Sequence, residues 1–312
     1  LKKYIHLIIL ISAFVVSAWK TNAARYDFYV DDSSTEATDD GSEARPFKTI
    51  RAAMDHVKNN KLKNKDIFIK NGTYQENITL QNGVNLIGES RDGSIIDGGG
   101  ESVAIYFSST NSDVRNMTVK HASRDFIIDR RSKAHIENCD IRDAGAMGIE
   151  VKKSSTRKAY RFTLQNSAIS SSGKYGAYIS RRRIEIAGNY IHENEEEGLD
   201  LHDGMKGDVA GNRIESNGES GIEAILGGSE LTIKRNDIKD NKKQGIALQA
   251  YSSKKGSVTI RKNTISGNDE YGIRFVNFSK LGPVKFKKFI DKHVNLRKNT
   301  IKENDKGDFR YE

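Results

Sequence analysis

Five short stretches decide the fold: Asn189-Tyr-Ile-His-Glu-Asn194, Asn212-Arg-Ile-Glu-Ser-Asn217, Asn236-Asp-Ile-Lys-Asp-Asn241, Asn263-Thr-Ile-Ser-Gly-Asn268 and Asn299-Thr-Ile-Lys-Glu-Asn304. Each opens on Asn, has Ile two residues on and closes on a second Asn. The first Asn recurs after 23, 24, 27 and 36 residues. Self-similarity at that period marks a solenoid, in which each repeat buries its apolar face against its neighbours. In the first four copies a Gly follows (Gly198, Gly221, Gly245, Gly272) and opens an alternating run such as Gly198-Leu-Asp-Leu or Gly272-Ile-Arg-Phe. Alternation with a period of two, bounded by Asn and Gly, predicts short strands and tight turns. Looser copies lie upstream at Asn138/Gly148 and Asn166/Gly176.

At ~3.3 Å per strand residue, one period makes a three-strand coil, and a stack of coils is an all-β, single-stranded parallel β-helix. The Asn side chains then stack into ladders, amide to amide, while Asn and Gly supply the left-handed backbone of the corners. A β-sandwich leaves the fixed Asn-to-Asn interval unexplained. No helical period appears between residues 61 and 276. Thr49–Val57 places apolar residues at 50, 53, 54 and 57, an amphipathic helix over about 49–59 that caps the open end of the stack.

The chain has 312 residues, with 51 Lys and Arg against 42 Asp and Glu, 27 Gly, 2 Pro and 1 Cys. A single Cys139 excludes an intrachain disulfide, a Cys-rich metal site and a CxxC motif, and reads as a small buried hydrophobe. Lys2 and Lys3 precede the apolar run Leu7–Val16, which is short of the ~20 residues that span a bilayer. The small residues ending at Ala23 complete a signal peptide over 1–23, so the expected protein is secreted or periplasmic, without membrane contact after cleavage, and monomeric. What remains has 48 basic and 42 acidic residues, a net +6. With no nucleic-acid motif present, that charge points to an acidic polysaccharide as partner.

The stretch from Pro46-Phe-Lys-Thr-Ile50 through Ile96-Asp-Gly98, with strand signals at Asp66–Lys70, Glu76–Leu80 and Val84–Gly88, resembles the opening of the pectate-lyase-like right-handed β-helix superfamily. The resemblance covers nearly all of residues 24–312, read as one domain with repeats over about 66–307. It implies a right-handed coil but no single reaction, because that fold hosts lyases, hydrolases, epimerases and binding proteins.

Aligning the strands on their Gly sets Glu150, Tyr178, Asp200, Glu223, Ala247 and Arg274 in one outward column, and Lys152, Ser180, His202, Ile225, Gln249 and Val276 in a second. Rungs ~4.8 Å apart bring these groups together. Basic insertions follow the same strands: Lys152–Arg161, Arg181-Arg182-Arg183, Tyr251–Ser257 and Asn277–His293. They form a wall at one corner; within the last, Val284–Ile290 reads as a short strand or a helix over the cleft.

Gly198-Leu-Asp200-Leu-His202-Asp203 is similar to the Y-G-[FI]-D-P-H-[DE] motif of mannuronan C5-epimerases, which are β-helix enzymes acting on alginate. The resemblance implies catalytic roles for Asp200 and His202 and places Asp203 at the motif's last acid. Leu201 stands where the family has Pro, and Glu197 where it has a proton-exchanging Tyr; Tyr178, one coil earlier, is the available phenol.

The chemistry follows from the residue types. A uronate C5–H is weakly acidic, and its carboxylate must be neutralised before the proton leaves. Lys152 or Arg181 supplies the cation, His202 the base and Tyr178 the returning proton; breakage of the bond to O4 turns the same site into a polysaccharide lyase. Glu223, Asp203, Arg182, Gln249 and Arg274 are the candidate substrate-binding groups. No cofactor is required by this scheme. Asp200 and Glu223 are alternatively ligands for Ca²⁺, a retaining hydrolase pair, or solvated charges on a non-catalytic glycan-binding solenoid.

Overall fold

The computed structural model describes residues 26–154, 160–252 and 256–312. The expected signal peptide lies outside them, as do parts of the insertions after Lys152 and Tyr251. The chain winds as a β-solenoid in which each coil gives one strand to each of three parallel sheets, one of eleven strands and two of ten. Alternate strand residues fill the interior: the rungs Arg183–Ala187, Glu230–Lys234 and Ser257–Arg261 all bury their second and fourth residues. Phe107, Phe126, Phe162 and Phe275 are fully buried, with long stacks of Ile and Leu around them.

The cap helix α1 spans Ile50–Asn59 and buries Ile50, Ala53, Met54 and Val57, the four expected positions. The Thr49 hydroxyl accepts from the Ala52 N–H, and the Glu76 carboxylate accepts from the Ile50 and Arg51 N–H groups at 2.8 Å each. A carboxylate there satisfies otherwise orphaned donors and suits the positive end of the helix. The late insertion forms a helix, α2 (Pro283–His293), with Pro283 in its first turn and Phe286 and Ile290 buried against the stack.

Both Asn ladders form. Asn212 donates from Nδ2 to Asn236 Oδ1 at 2.9 Å and to the Ile186 carbonyl at 3.0 Å, and its backbone N–H meets the same Oδ1. Asn217, Asn241 and Asn268 repeat this at the next corner and are fully buried. The corners differ from expectation in one respect: the left-handed residue precedes the ladder Asn. Gly188, Gly211, Arg235, Lys262 and Lys298 hold φ from 53° to 68° before the first ladder, and Glu193, Ser216, Asp240, Gly267 and Glu303 do the same before the second. The turn residue swings the next side chain inward, where its amide can bond along the axis. Upstream the register shifts by one accordingly. Asn138 and Asn166 are themselves the left-handed residues, and Cys139 and Ser167 take the ladder position. The Ser167 N–H donates to Asn189 Oδ1 at 3.0 Å, and the Cys139 N–H to Ser167 Oγ at 3.1 Å. Cys139 is fully buried, and burial pushes its thiol up to about 12.

Candidate functional site

The site grows from one ten-stranded sheet, in which Met147–Val151, Ala177–Ser180, Leu199–His202, Ile222–Ile225 and Ile246–Ala250 are successive rungs. Their pairing sets Glu150 beside Tyr178, Tyr178 beside Asp200 and Asp200 beside Glu223; Ala247 and Arg274 continue the line. Ser180 pairs with His202, and Ile225 with Gln249. The first outward column therefore stands as the Gly alignment predicts, and the second does so at Ser180–His202 and at Ile225–Gln249–Val276, with Lys152 past the end of its strand. Leu199 and Leu201 are fully buried, which pins the rung so that Asp200 and His202 share the outer face.

His202 Nε2 lies 2.8 Å from Asp200 Oδ1. The approach is close but off-axis, so this buried oxygen lacks a well-aligned donor among the described residues. The Asp200 carboxylate holds the His202 imidazole above its ordinary pKa against the opposing effect of burial. Tyr178 places its ring centroid 5.1 Å from that of His202, and its phenol is raised by burial and by the Asp200 charge. Glu223 is pushed up to about 7, first by burial and then by Asp200 on the adjacent rung, while Gln249 hydrogen-bonds it. A base, a phenol and a half-neutral acid thus meet on three neighbouring rungs.

The other expected groups are distributed less favourably. Arg181 lines a hollow with His202, Asp203, Ile225, Gly227 and Tyr251, and its N–H donates to the His202 carbonyl at 2.9 Å. Asp203 is held by Lys153 at 3.1 Å and by the Ser180 hydroxyl at 2.9 Å; these outweigh burial and keep it below the usual carboxylate range. Lys152 does not reach the site: its amine sits 5.8 Å from the centre of the Tyr106 ring, turned toward the N-terminal rungs. Arg182 is not available to substrate. It is 3 % exposed and donates to the carbonyls of Asp129 (2.5 Å), Ser132 (3.0 Å) and Lys152 (3.0 Å), and burial brings it down to about 10. Arg274 pairs with Glu312 and, at 3.8 Å, with Glu270. Glu150 is paired with Arg124 at 3.1 Å.

Asp200, His202 and Glu223 each offer one ligand atom within 4.8 Å of the others. Ca²⁺ takes roughly six to eight oxygens. This trio supplies two carboxylates and a nitrogen, which by themselves would fill only part of a Ca²⁺ shell.

Three groups are at the site without having been expected to act there: Tyr175, the motif departure Glu197 and the insertion residue Tyr251. Tyr175 stands 5.7 Å from the Tyr178 ring. Glu197, at the family's Tyr position, is buried and raised to about 9 by burial and by a hydrogen bond with Glu219. Tyr251 feels the charges of Glu223 and Asp200. Tyr175 and Glu197 each stand immediately before a repeat Gly, so the repeat alignment itself contained the signal.

Comparison with known proteins agrees with this architecture. A family model described as right handed beta helix region matches residues 126–284. No curated protein matches the chain. Among solved structures, pectate lyase Pel9A superposes with a TM-score of 0.61 over 80 % of this chain and 74 % of its own, at 16 % identity. The periplasmic alginate epimerase AlgG gives 0.52 over 81 % and 70 %, at 14 % identity. Alginate lyase from Paenibacillus sp. gives 0.50 over 80 % and 96 %, at 12 % identity. At such identities the likeness is one of fold. With its three parallel sheets, its inward Asn ladders and a family match over half its length, the chain belongs to the right-handed β-helix family.

Proposed function

We propose that this chain is an exported enzyme on an acidic polysaccharide that removes and returns the C5 proton of uronate residues. One observation carries the reading: proton-bearing groups flank the Asp200–His202 rung on both sides, Tyr178 before it and Glu223 after it. With Nε2–H facing Asp200, the lone pair of His202 sits on Nδ1, free to take the C5 proton. Protonated Glu223, with Arg181 across the hollow, neutralises the substrate carboxylate and stabilises the enolate that forms. Tyr178 returns a proton to the opposite face, which inverts C5; His202 and Tyr178 then re-equilibrate with solvent. Loss of O4 from the same enolate is elimination, the lyase outcome. The likeness in fold to an alginate epimerase and to two lyases supports the substrate class. No helix among the described residues is long and apolar enough to cross a membrane.

The test is incubation with alginate and with polygalacturonate in D₂O. Deuterium at C5 by NMR, with inversion, supports epimerisation, and ultraviolet absorbance from an unsaturated product supports elimination. Neither signal on either polymer overturns the proposal in favour of a binding surface.

A further inference from the structure

Two exposed aromatic rings stand beside this site without a role in the proton chemistry. Tyr251 and Phe278 are each 53 % exposed, and their rings stack 4.8 Å apart at 22°. Tyr251 follows Ala250 at the end of its strand and Phe278 follows Asn277 on the next rung; Ala250 and Asn277 are register partners. Scattered exposed hydrophobics are ordinary on a protein surface. This pair is different because it is preorganised and shares a hollow with the base: Tyr251 lines the same recess as His202 and Arg181. A recess with convergent polar groups on one side and aromatic faces on the other is the usual form of a ligand site.

We infer that Tyr251 and Phe278 form an aromatic subsite taking the apolar C–H face of a pyranose further along the polysaccharide from the residue held at His202. Tyr251 lies two rungs beyond His202, roughly 10 Å, a distance spanned by about two linked sugars. The free face of the Tyr251 ring offers a flat apolar platform, and Phe278 stacked against its other face fixes it, so little freedom is lost on binding. The ring C–H groups of that sugar face the aromatics, while Arg181 stays with the carboxylate of the residue held at His202. The subsite rests on the polysaccharide reading above and sets which chain lengths bind well.

Calorimetry with alginate oligomers tests it in the His202→Ala background, which holds substrate without turning it over. Tyr251→Ala is expected to weaken hexasaccharide binding by about tenfold while leaving disaccharide binding within about twofold. Tyr251→Phe retains affinity, and Phe278→Ala reproduces the loss with an unchanged circular dichroism spectrum. Equal hexasaccharide affinity in parent and Tyr251→Ala overturns the subsite. Should the parent bind no oligouronate, the substrate class proposed above fails, and the platform is judged on neutral xylo- and cello-oligosaccharides: binding that Tyr251→Ala removes supports it, and no binding overturns it.

Discussion

His202 Nε2 and Asp200 Oδ1 lie 2.8 Å apart across the boundary between core and groove: Asp200 is 3 % exposed, while His202 is only partly covered. Among the described residues no Lys or Arg is paired with this buried carboxylate, so the imidazole is its compensating partner. Asp200→Asn removes the charge that raises His202, so the histidine pKa falls, as NMR titration of the imidazole will show. The uronate reaction is expected to slow by about 10²- to 10⁴-fold, the usual span for a positioned proton-transfer group. An unchanged histidine titration means that the pair is not coupled.

Glu223 is held at about 7 by burial and by Asp200. Its neutral form faces the substrate carboxylate, so activity declines as pH rises through about 7. Glu223→Gln keeps a neutral donor and flattens that alkaline limb. The stability sign is fixed by the same shift. A carboxyl raised in the folded state binds more protons folded than unfolded, so stability falls between the ordinary Glu range and about 7. Glu223→Gln therefore raises the melting temperature by a few °C more at pH 8 than at pH 5. A difference of zero between the two pH values contradicts the burial argument.

How much of this was written in the sequence differs by level. The Ile and Asn intervals fix the coil because both side chains point inward, and inward contacts repeat strictly. The outward columns were legible for the same reason: Leu199 and Leu201 leave Asp200 and His202 nowhere else to face. Corner details were less legible. A left-handed residue can be Gly, Arg, Lys, Ser or Glu here, so identity does not mark it, and the upstream register slipped by one. Long side chains were least legible. Lys152 and Arg182 leave the strand near the groove, but one turns to Tyr106 and the other dives under three carbonyls. Sequence spacing places a Cα; it does not choose among the rotamers of a long methylene stem.

The ladders make a prediction about stability. Asn241 is fully buried, donates to Asn268 Oδ1 at 3.0 Å and accepts from Asn217 Nδ2 at 2.9 Å. Asn241→Ala removes the acceptor shared by the Asn217 backbone N–H and side-chain amide, at about 1–3 kcal/mol per unpaired group, while Asn268 Oδ1 keeps the backbone N–H of residue 241. The urea midpoint is expected to fall sharply. The exposed neighbour Lys242 pairs with Asp269 at 3.3 Å, and its replacement by Ala costs no more than about 1 kcal/mol. Equal midpoints for the two variants count against the ladder as a source of stability.

The three basic side chains near the groove separate by role. Arg181 lines the hollow with His202, so Arg181→Ala raises KM for a uronate polymer, by about tenfold for one lost charged contact. Lys152→Ala leaves kcat and KM within about twofold, because its amine sits over Tyr106 rather than facing His202. Arg182→Met acts through the fold: the Ser132 and Lys152 carbonyls lose their donor, each unpaired group costing about 1–3 kcal/mol, while Asp129 keeps only the Ser132 N–H, and the melting temperature drops. The two readouts move independently, since Arg181 is a groove residue and Arg182 a buried staple one position later. A KM effect from Lys152→Ala larger than from Arg181→Ala, or a stable Arg182→Met protein with raised KM, reverses the assignment and returns the substrate carboxylate to the other side of the groove.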